Sequence, residues 1–242
     1  MATALRRFSY SLALILIAGA AGCSSSELLL PEPPGGGDNV ALSKFDGDNQ
    51  LGTVGEPLPN PLIVSVRTAR ALPALEREVE FATMAGDVEI ARDTAITDSE
   101  GNASIRCVLG TVPGDYVIRA KLIDVAGEAP IQEFLATARA GPPDTLSATS
   151  PLSQPGRQGR PVATPPSVRV VDRFGNAVPE ALVAWQVTAG QGEVSEALTR
   201  TAQDGRGSVE WTLGNRIGVH KLTASVEQPK VLPVTFTVTV LF

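Results

Sequence analysis

The chain has 242 residues, 43% hydrophobic and 19% charged, with a formal net charge of −6. Its Lys and Arg residues are scattered, with no basic stripe interleaved with aromatics, so nucleic acid is not an expected partner. Two cysteines and one histidine leave no disulfide framework and too few ligands for a zinc site built on His and Cys.

The N-terminus reads as an address. Arg6 and Arg7 precede a nearly uncharged apolar stretch over residues 8–21, and Ala20-Ala21-Gly22 then leads into Cys23. This is the layout of a secretory signal, too short for a permanent transmembrane helix. A cysteine directly after Ala-Ala-Gly resembles a bacterial lipobox, although Ala20 stands where that pattern more often has Leu. The resemblance implies cleavage before Cys23, lipid on its thiol, and attachment to a membrane through that lipid. One acyl chain anchors only marginally, and lipoproteins of this kind usually carry two or three. Ser24 is compatible with an outer-membrane destination. Loss of Arg6 and Arg7 moves the formal charge to about −8, so electrostatics cannot hold the mature chain to an anionic surface.

Residues 1–22 are thus expected to be a signal peptide. Residues 23–39 follow as a tether rich in Ser, Pro and Gly, with Pro31, Pro33, Pro34 and Gly35-Gly36-Gly37, a composition that builds no core. Beyond it the chain repeats. Leu42 and Leu146 lie 104 positions apart, as do Pro57 and Pro161, Val66 and Val170, Val79 and Val183, Gly101 and Gly205, Leu109 and Leu213, and Ala120 and Ala224. A register held from start to finish indicates duplication, with copies at 40–141 and 142–242 and a junction at Gly141-Pro142-Pro143-Asp144.

Each copy alternates apolar and polar residues with period two. The first has such runs at 62–66, 79–81, 103–109 and 116–120. The second has them at 168–170, 183–187, 209–213, 222–226 and 234–240. Gly- and Asn-bearing turns separate them, among them Ser99-Glu100-Gly101-Asn102 and Phe174-Gly175-Asn176. Residues 72–82 could pass for a helix, but the same stretch of the second copy is turn plus strand, so the helix is rejected. The fold class is all-β, two tandem antiparallel β-sandwiches.

These motifs resemble the bacterial Ig-like domains of group 1, the repeats of invasin and intimin adhesins. Gly47-Asp48-Asn49-Gln50, Gly52-Thr53-Val54-Gly55 and Leu58-Pro59-Asn60-Pro61 match the opening of that family. Asp172-Arg173-Phe174-Gly175-Asn176 matches its mid-domain turn. The resemblance implies an Ig-like fold and surface exposure. It carries no receptor-binding residue onto this chain.

Individual residues offer little chemistry. His220 aligns with Tyr116 and is expected at a strand edge, as a surface or rim residue rather than a catalytic one; there is no Gly-x-Ser-x-Gly elbow. Cys107 is expected as a small buried hydrophobe, and Trp185 and Trp211, aligned with Phe81 and Cys107, as core. Asp46, Asp48 and Gln50 alternate like calcium ligands, but Leu51 replaces the required Gly and no Glu closes the loop, so a solvated turn is expected. Gly190-Gln191-Gly192 reads as a turn. No catalytic, metal or cofactor residue is assigned, and Cys23 is the one site residue.

The function these readings support is a non-enzymatic surface lipoprotein, probing a protein or carbohydrate ligand through domain-end loops or serving as a spacer. The alternatives are a periplasm-facing subunit of a complex and an enzyme with an unrecognised site.

Overall fold

The computed structural model describes residues 39–241. The signal peptide, Cys23 and the tether up to residue 38 lie outside them. Among the described residues every element is a strand. The first copy holds β1 (Val40–Asp46), β2 (Gln50–Thr53), β3 (Leu62–Thr68), β4 (Glu78–Ala85), β5 (Val88–Ile90), β6 (Thr94–Ile96), β7 (Asn102–Ile105), β8 (Cys107–Leu109), β9 (Gly114–Leu122) and β10 (Ile131–Arg139). The second holds β11 (Thr145–Ala148), β12 (Ser153–Gly156), β13 (Ser167–Val171), β14 (Leu182–Ala189), β15 (Gly192–Val194), β16 (Leu198–Arg200), β17 (Arg206–Ser208), β18 (Trp211–Leu213), β19 (Gly218–Val226) and β20 (Val234–Val240).

The pairing is the same in both copies. A three-stranded sheet β1-β3-β7 faces a five-stranded sheet β2-β10-β9-β4-β6, with β5-β8 as a small ribbon; β11 to β20 repeat this arrangement strand for strand. Alternation puts the core between the sheets. In β9, Tyr116, Ile118, Ala120 and Leu122 are buried while the residues between them are not, and Val79, Phe81 and Phe134 close over them. In the second copy Leu222 and Ala224 meet Val183, Trp185 and Phe236. Each such large apolar side chain contributes roughly 1.5–3 kcal/mol on burial.

Four details depart from the sequence reading. The sandwiches are not purely antiparallel, because β2 runs parallel to β10 and β12 parallel to β20. The opening segment of each copy first pairs within one sheet and then crosses to the other. The runs at 103–109 and 209–213 keep their inward phase but change partners midway: β7 bonds β3, and β8 bonds β5. The first copy also has a closing strand, β10, absent from the expected set. Finally, the 104-residue register ends after Leu122 and Val226, since Phe134 sits opposite Ile118 and Phe236 opposite Leu222. The turn before the last strand is two residues shorter in the second copy. Residues 72–82 are turn followed by β4, not helix.

The expected solvated turn at 46–50 is a structural latch. Asp46 Oδ1 accepts from Gly47 N (2.7 Å), and Asp48 accepts from Leu135 N (2.9 Å) and pairs with Lys44. Gln50 is buried. Its Nε2 donates to Gly47 O (2.7 Å) and Asn60 O (3.0 Å), and its Oε1 accepts from Asn60 N (2.8 Å). Gln154 clasps Thr164 in the same way, but nearer to solvent. The Gln50→Ala variant is expected to lose about 2–3 kcal/mol, roughly 1 kcal/mol per hydrogen bond, and Gln154→Ala less. Both tryptophans lie in the second sandwich. In urea titrations Gln50→Ala should therefore shift the circular-dichroism transition and leave the tryptophan fluorescence transition in place.

The joint between the sandwiches as candidate functional site

Two loop clusters meet where the sandwiches join. The turn after β13 begins at Asp172, which is 2% exposed. Its Oδ1 accepts from Phe174 N and Asn176 N, both at 2.9 Å. Its Oδ2 accepts from Gly141 N (2.9 Å) and Asn176 Nδ2 (3.0 Å). One carboxylate thus fixes both the turn and the chain crossing between the sandwiches. Burial pushes this carboxyl up, but the four donors outweigh burial and leave its pKa below the ordinary 3.8.

The turn held this way docks on the end of the first sandwich. Asn176 Nδ2 donates to Thr111 O (2.7 Å), and an Arg173 guanidinium N lies 3.4 Å from Gly55 O. Phe174, with Arg173 stacked at 4.6 Å, sits over Gly55. Gly55 has φ +68°, and a Cβ there would come within 2.5 Å of the Phe174 ring, so glycine is required twice over. Clefts of about 750 and 340 Å³ flank this joint. The larger is lined by Pro113, Arg139, Ala177, Pro179, Glu180 and Gln203 among others.

The loop that receives Asn176 is itself tied down from inside. Tyr116 Oη donates to Val112 O (2.6 Å). The equivalent tie in the second sandwich is His220, whose Nε2 lies 2.8 Å from Arg216 O and whose Nδ1 lies 3.1 Å from Gln191 O. His220 is fully buried, which corrects the expectation of a surface or rim position. Its alignment with Tyr116 is right, but that position points into the core at the sandwich end. Here it packs on Gly190, where a Cβ would come within 2.5 Å of the ring.

The remaining singled-out residues are accounted for by packing. Cys107 is 2% exposed, and burial pushes its thiol up to about 11, so it stays protonated and unreactive at neutral pH. Trp211 is fully buried and Trp185 is 3% exposed, its Nε1 donating to Thr199 Oγ1 at 2.8 Å. Gly190-Gln191-Gly192 is a tight turn with all three residues at positive φ. Among the described residues no group of three or more His, Cys, Asp or Glu is arranged to hold a metal ion. No helix there is long and apolar enough to cross a membrane. Sequence reasoning missed Asp172, noted only as part of a turn motif; an Asp three residues before a Gly is too common to mark a joint.

This architecture has counterparts among solved structures. The Escherichia coli adhesin FdeC superposes with a TM-score of 0.57 at 17% identity, over 85% of this chain and 64% of that one. The fold, two tandem Ig-like β-sandwiches, is shared with that structure. The D00-D0 domains of intimin match at 15% identity and TM-score 0.43, over 81% of this chain and 98% of that one. Invasin, an integrin-binding protein, matches at 21% and 0.37, over 84% and 39%. This chain thus spans less than two thirds of the FdeC structure. No family model and no curated protein matches it.

The Asp172→Ala variant is expected to destabilise the second sandwich by about 2–4 kcal/mol, since charge-assisted hydrogen bonds are lost and buried donors orphaned. Small-angle scattering should show a broader range of interdomain distances. Because the folded pKa is lowered, this stabilisation is complete above pH 3.8 and is lost as pH falls through the folded value. The wild-type joint should therefore loosen only in stronger acid, and Asp172→Ala should flatten that dependence. For His220, replacement by Ala leaves a cavity and frees the 213–218 loop, at an expected cost of about 2–4 kcal/mol. His220→Tyr reproduces the Tyr116 tie and should retain most of the stability. Tryptophan-monitored urea unfolding measures both.

Proposed function

We propose that this chain is a non-enzymatic, lipid-anchored surface module whose two Ig-like domains serve adhesion or presentation. In this reading residues 1–22 are the signal peptide, Cys23 is lipidated, residues 23–39 are the tether, and the domains are residues 40–141 and 142–242. The observation that carries the reading is the adhesin-type fold shared with FdeC, joined in sequence to the Ala20-Ala21-Gly22-Cys23 motif.

The physical features fit that use. The candidate side chains for catalysis are occupied in structure: His220 ties a loop, Cys107 is a protonated core thiol, and the carboxylates of 46–50 hold a latch. The Asp172 cluster couples the two domains, as a spacer requires. Invasin's description as integrin-binding supports a protein ligand here too, at the loops of a domain end.

Mass spectrometry of the mature N-terminus is expected to find a diacyl- or triacyl-modified Cys23. Cys23→Ser should leave the chain unprocessed by the lipoprotein route and abolish lipid incorporation. Protease treatment of intact cells should remove residues 40–242 from the wild type. An unmodified Cys23 would defeat the anchor, and full protection in cells proven intact would defeat surface display.

A further inference from the structure

Away from the joint, the two copies also differ along one open side of each sandwich. There β6, the outer strand of the five-stranded sheet, comes beside β7, the outer strand of the three-stranded sheet; β16 and β17 repeat the arrangement. In the first copy a cleft of about 420 Å³ opens between these strands, lined by Arg92, Thr94, Ile96, Ser104 and Arg106 among others. The 104-residue register carries Arg92 onto Glu196 and Arg106 onto Glu210. Both charges are thus inverted on a shared backbone frame. In the second copy Ser195 N donates to Glu210 O (2.9 Å) and Glu210 N to Ser195 Oγ (3.3 Å). These bonds bring Glu196 and Glu210 to neighbouring backbone positions.

Arg92, Arg106, Glu196 and Glu210 are all exposed. Among the described residues, none of their side chains is held in an ion pair or hydrogen bond. The counter-charge at each edge has a local partner: Asp93 Oδ1 accepts from Thr94 Oγ1 (3.4 Å), and Arg200 lies 3.8 Å from Glu180. On the neighbouring strands Glu78, Glu80 and Glu89 align with Leu182, Ala184 and Glu193. The inversion therefore belongs to the edge and not to the sandwich as a whole. Each edge also exposes a large apolar side chain, Ile96 at 66% and Leu198 at 59%. None of these residues lines the two clefts at the joint, so the joint leaves both edges uncovered.

We propose that the β6–β7 edge of the first sandwich binds the β16–β17 edge of the second sandwich in another copy of this chain. Arg92 and Arg106 then face Glu196 and Glu210, guanidinium against carboxylate, a pairing that makes charge-assisted hydrogen bonds. Ile96 and Leu198 supply the apolar contact. An unpaired sheet edge invites indiscriminate pairing, which charge normally blocks. Here like edges repel and unlike edges attract, so the same four charges bar the wrong pairings and select the right one. The contact joins unlike surfaces, so copies either close on themselves or continue as an array. The inference goes beyond the adhesion reading: it concerns how copies sit side by side, with or without the lipid anchor.

The test is sedimentation velocity of the full chain in detergent, at protein concentrations up to about 0.1 mM. Wild type should associate, and less strongly as salt rises. Arg92→Glu/Arg106→Glu makes both edges acidic, and Glu196→Arg/Glu210→Arg makes both basic. Each double variant should lose about tenfold or more in self-association. Mixing the two should restore association, and so should the quadruple variant, which leaves the net charge unchanged. Unchanged thermal midpoints establish folding; Arg→Gln and Glu→Gln doubles, with smaller expected losses, replace any swapped chain that does not fold. A monomeric wild type overturns the proposal, and so does a double variant that associates like wild type. Recovery in either the mixture or the quadruple variant supports the pairing, and failure in both overturns it. None of these outcomes bears on lipid at Cys23, which mass spectrometry decides separately.

Discussion

Each half of the molecule depends on one constraint: the inward side chains of a five-stranded and a three-stranded sheet must fill a single layer between them, about 10 Å thick. That layer consumes every second residue of the long strands, and the hydrogen-bond ladders consume their backbone. The two copies satisfy the constraint with different side chains. Phe81 and Cys107 in one become Trp185 and Trp211 in the other, so the second core takes up larger rings on the same backbone topology. Buried polar pins are kept. Thr97 Oγ1 donates to Ala74 O and accepts from Arg77 N, and Thr201 Oγ1 does the same with Val178 O and Ala181 N. A hydroxyl that donates once and accepts once leaves no polar atom unpaired, which is what burial demands.

With faces and ladders committed, the ends of the sandwiches are where chemistry can diverge. They do diverge, on a shared frame. Tyr116 and His220 hold equivalent loops from equivalent positions, and Gly55 and Gly159 share the left-handed backbone. The Gly55 end is filled internally by a turn that a single buried carboxylate, Asp172, preorganises. At the other end Asn215 Oδ1 lies over Gly159, where Phe174 lies over Gly55. The same backbone geometry thus carries different side chains in the two copies, the difference residing in a few loop residues.

Much of this was legible in the sequence. Period-two alternation located most of the core strands, because a sheet buried on one face needs every second residue apolar, and the 104-residue offset exposed the duplication. The inward placement of Phe81, Cys107, Trp185 and Trp211 followed from phase alone. Strand partnership did not follow. The runs at 103–109 and 209–213 look continuous because their phase is continuous, yet their hydrogen-bond partners change at Arg106 and between Ser208 and Trp211. Strand β10 was hidden by its weak alternation of Ala136, Thr137, Ala138 and Arg139, and by the two-residue difference in the preceding turn.

The sequence by itself determined the all-β class, the two copies and the inward side chains, because these depend on local periodicity and self-similarity. Only the tertiary structure decided what the loops do. It showed His220 to be a buried tie, Gln50 a buried latch within the turn expected to be solvated, and Asp172 the residue joining the two halves. Their roles arise from partners distant in sequence, such as Gly141 for Asp172 and Gln191 for His220. A polar residue in a turn does not reveal which distant backbone group it will satisfy until the sheets have brought the two together.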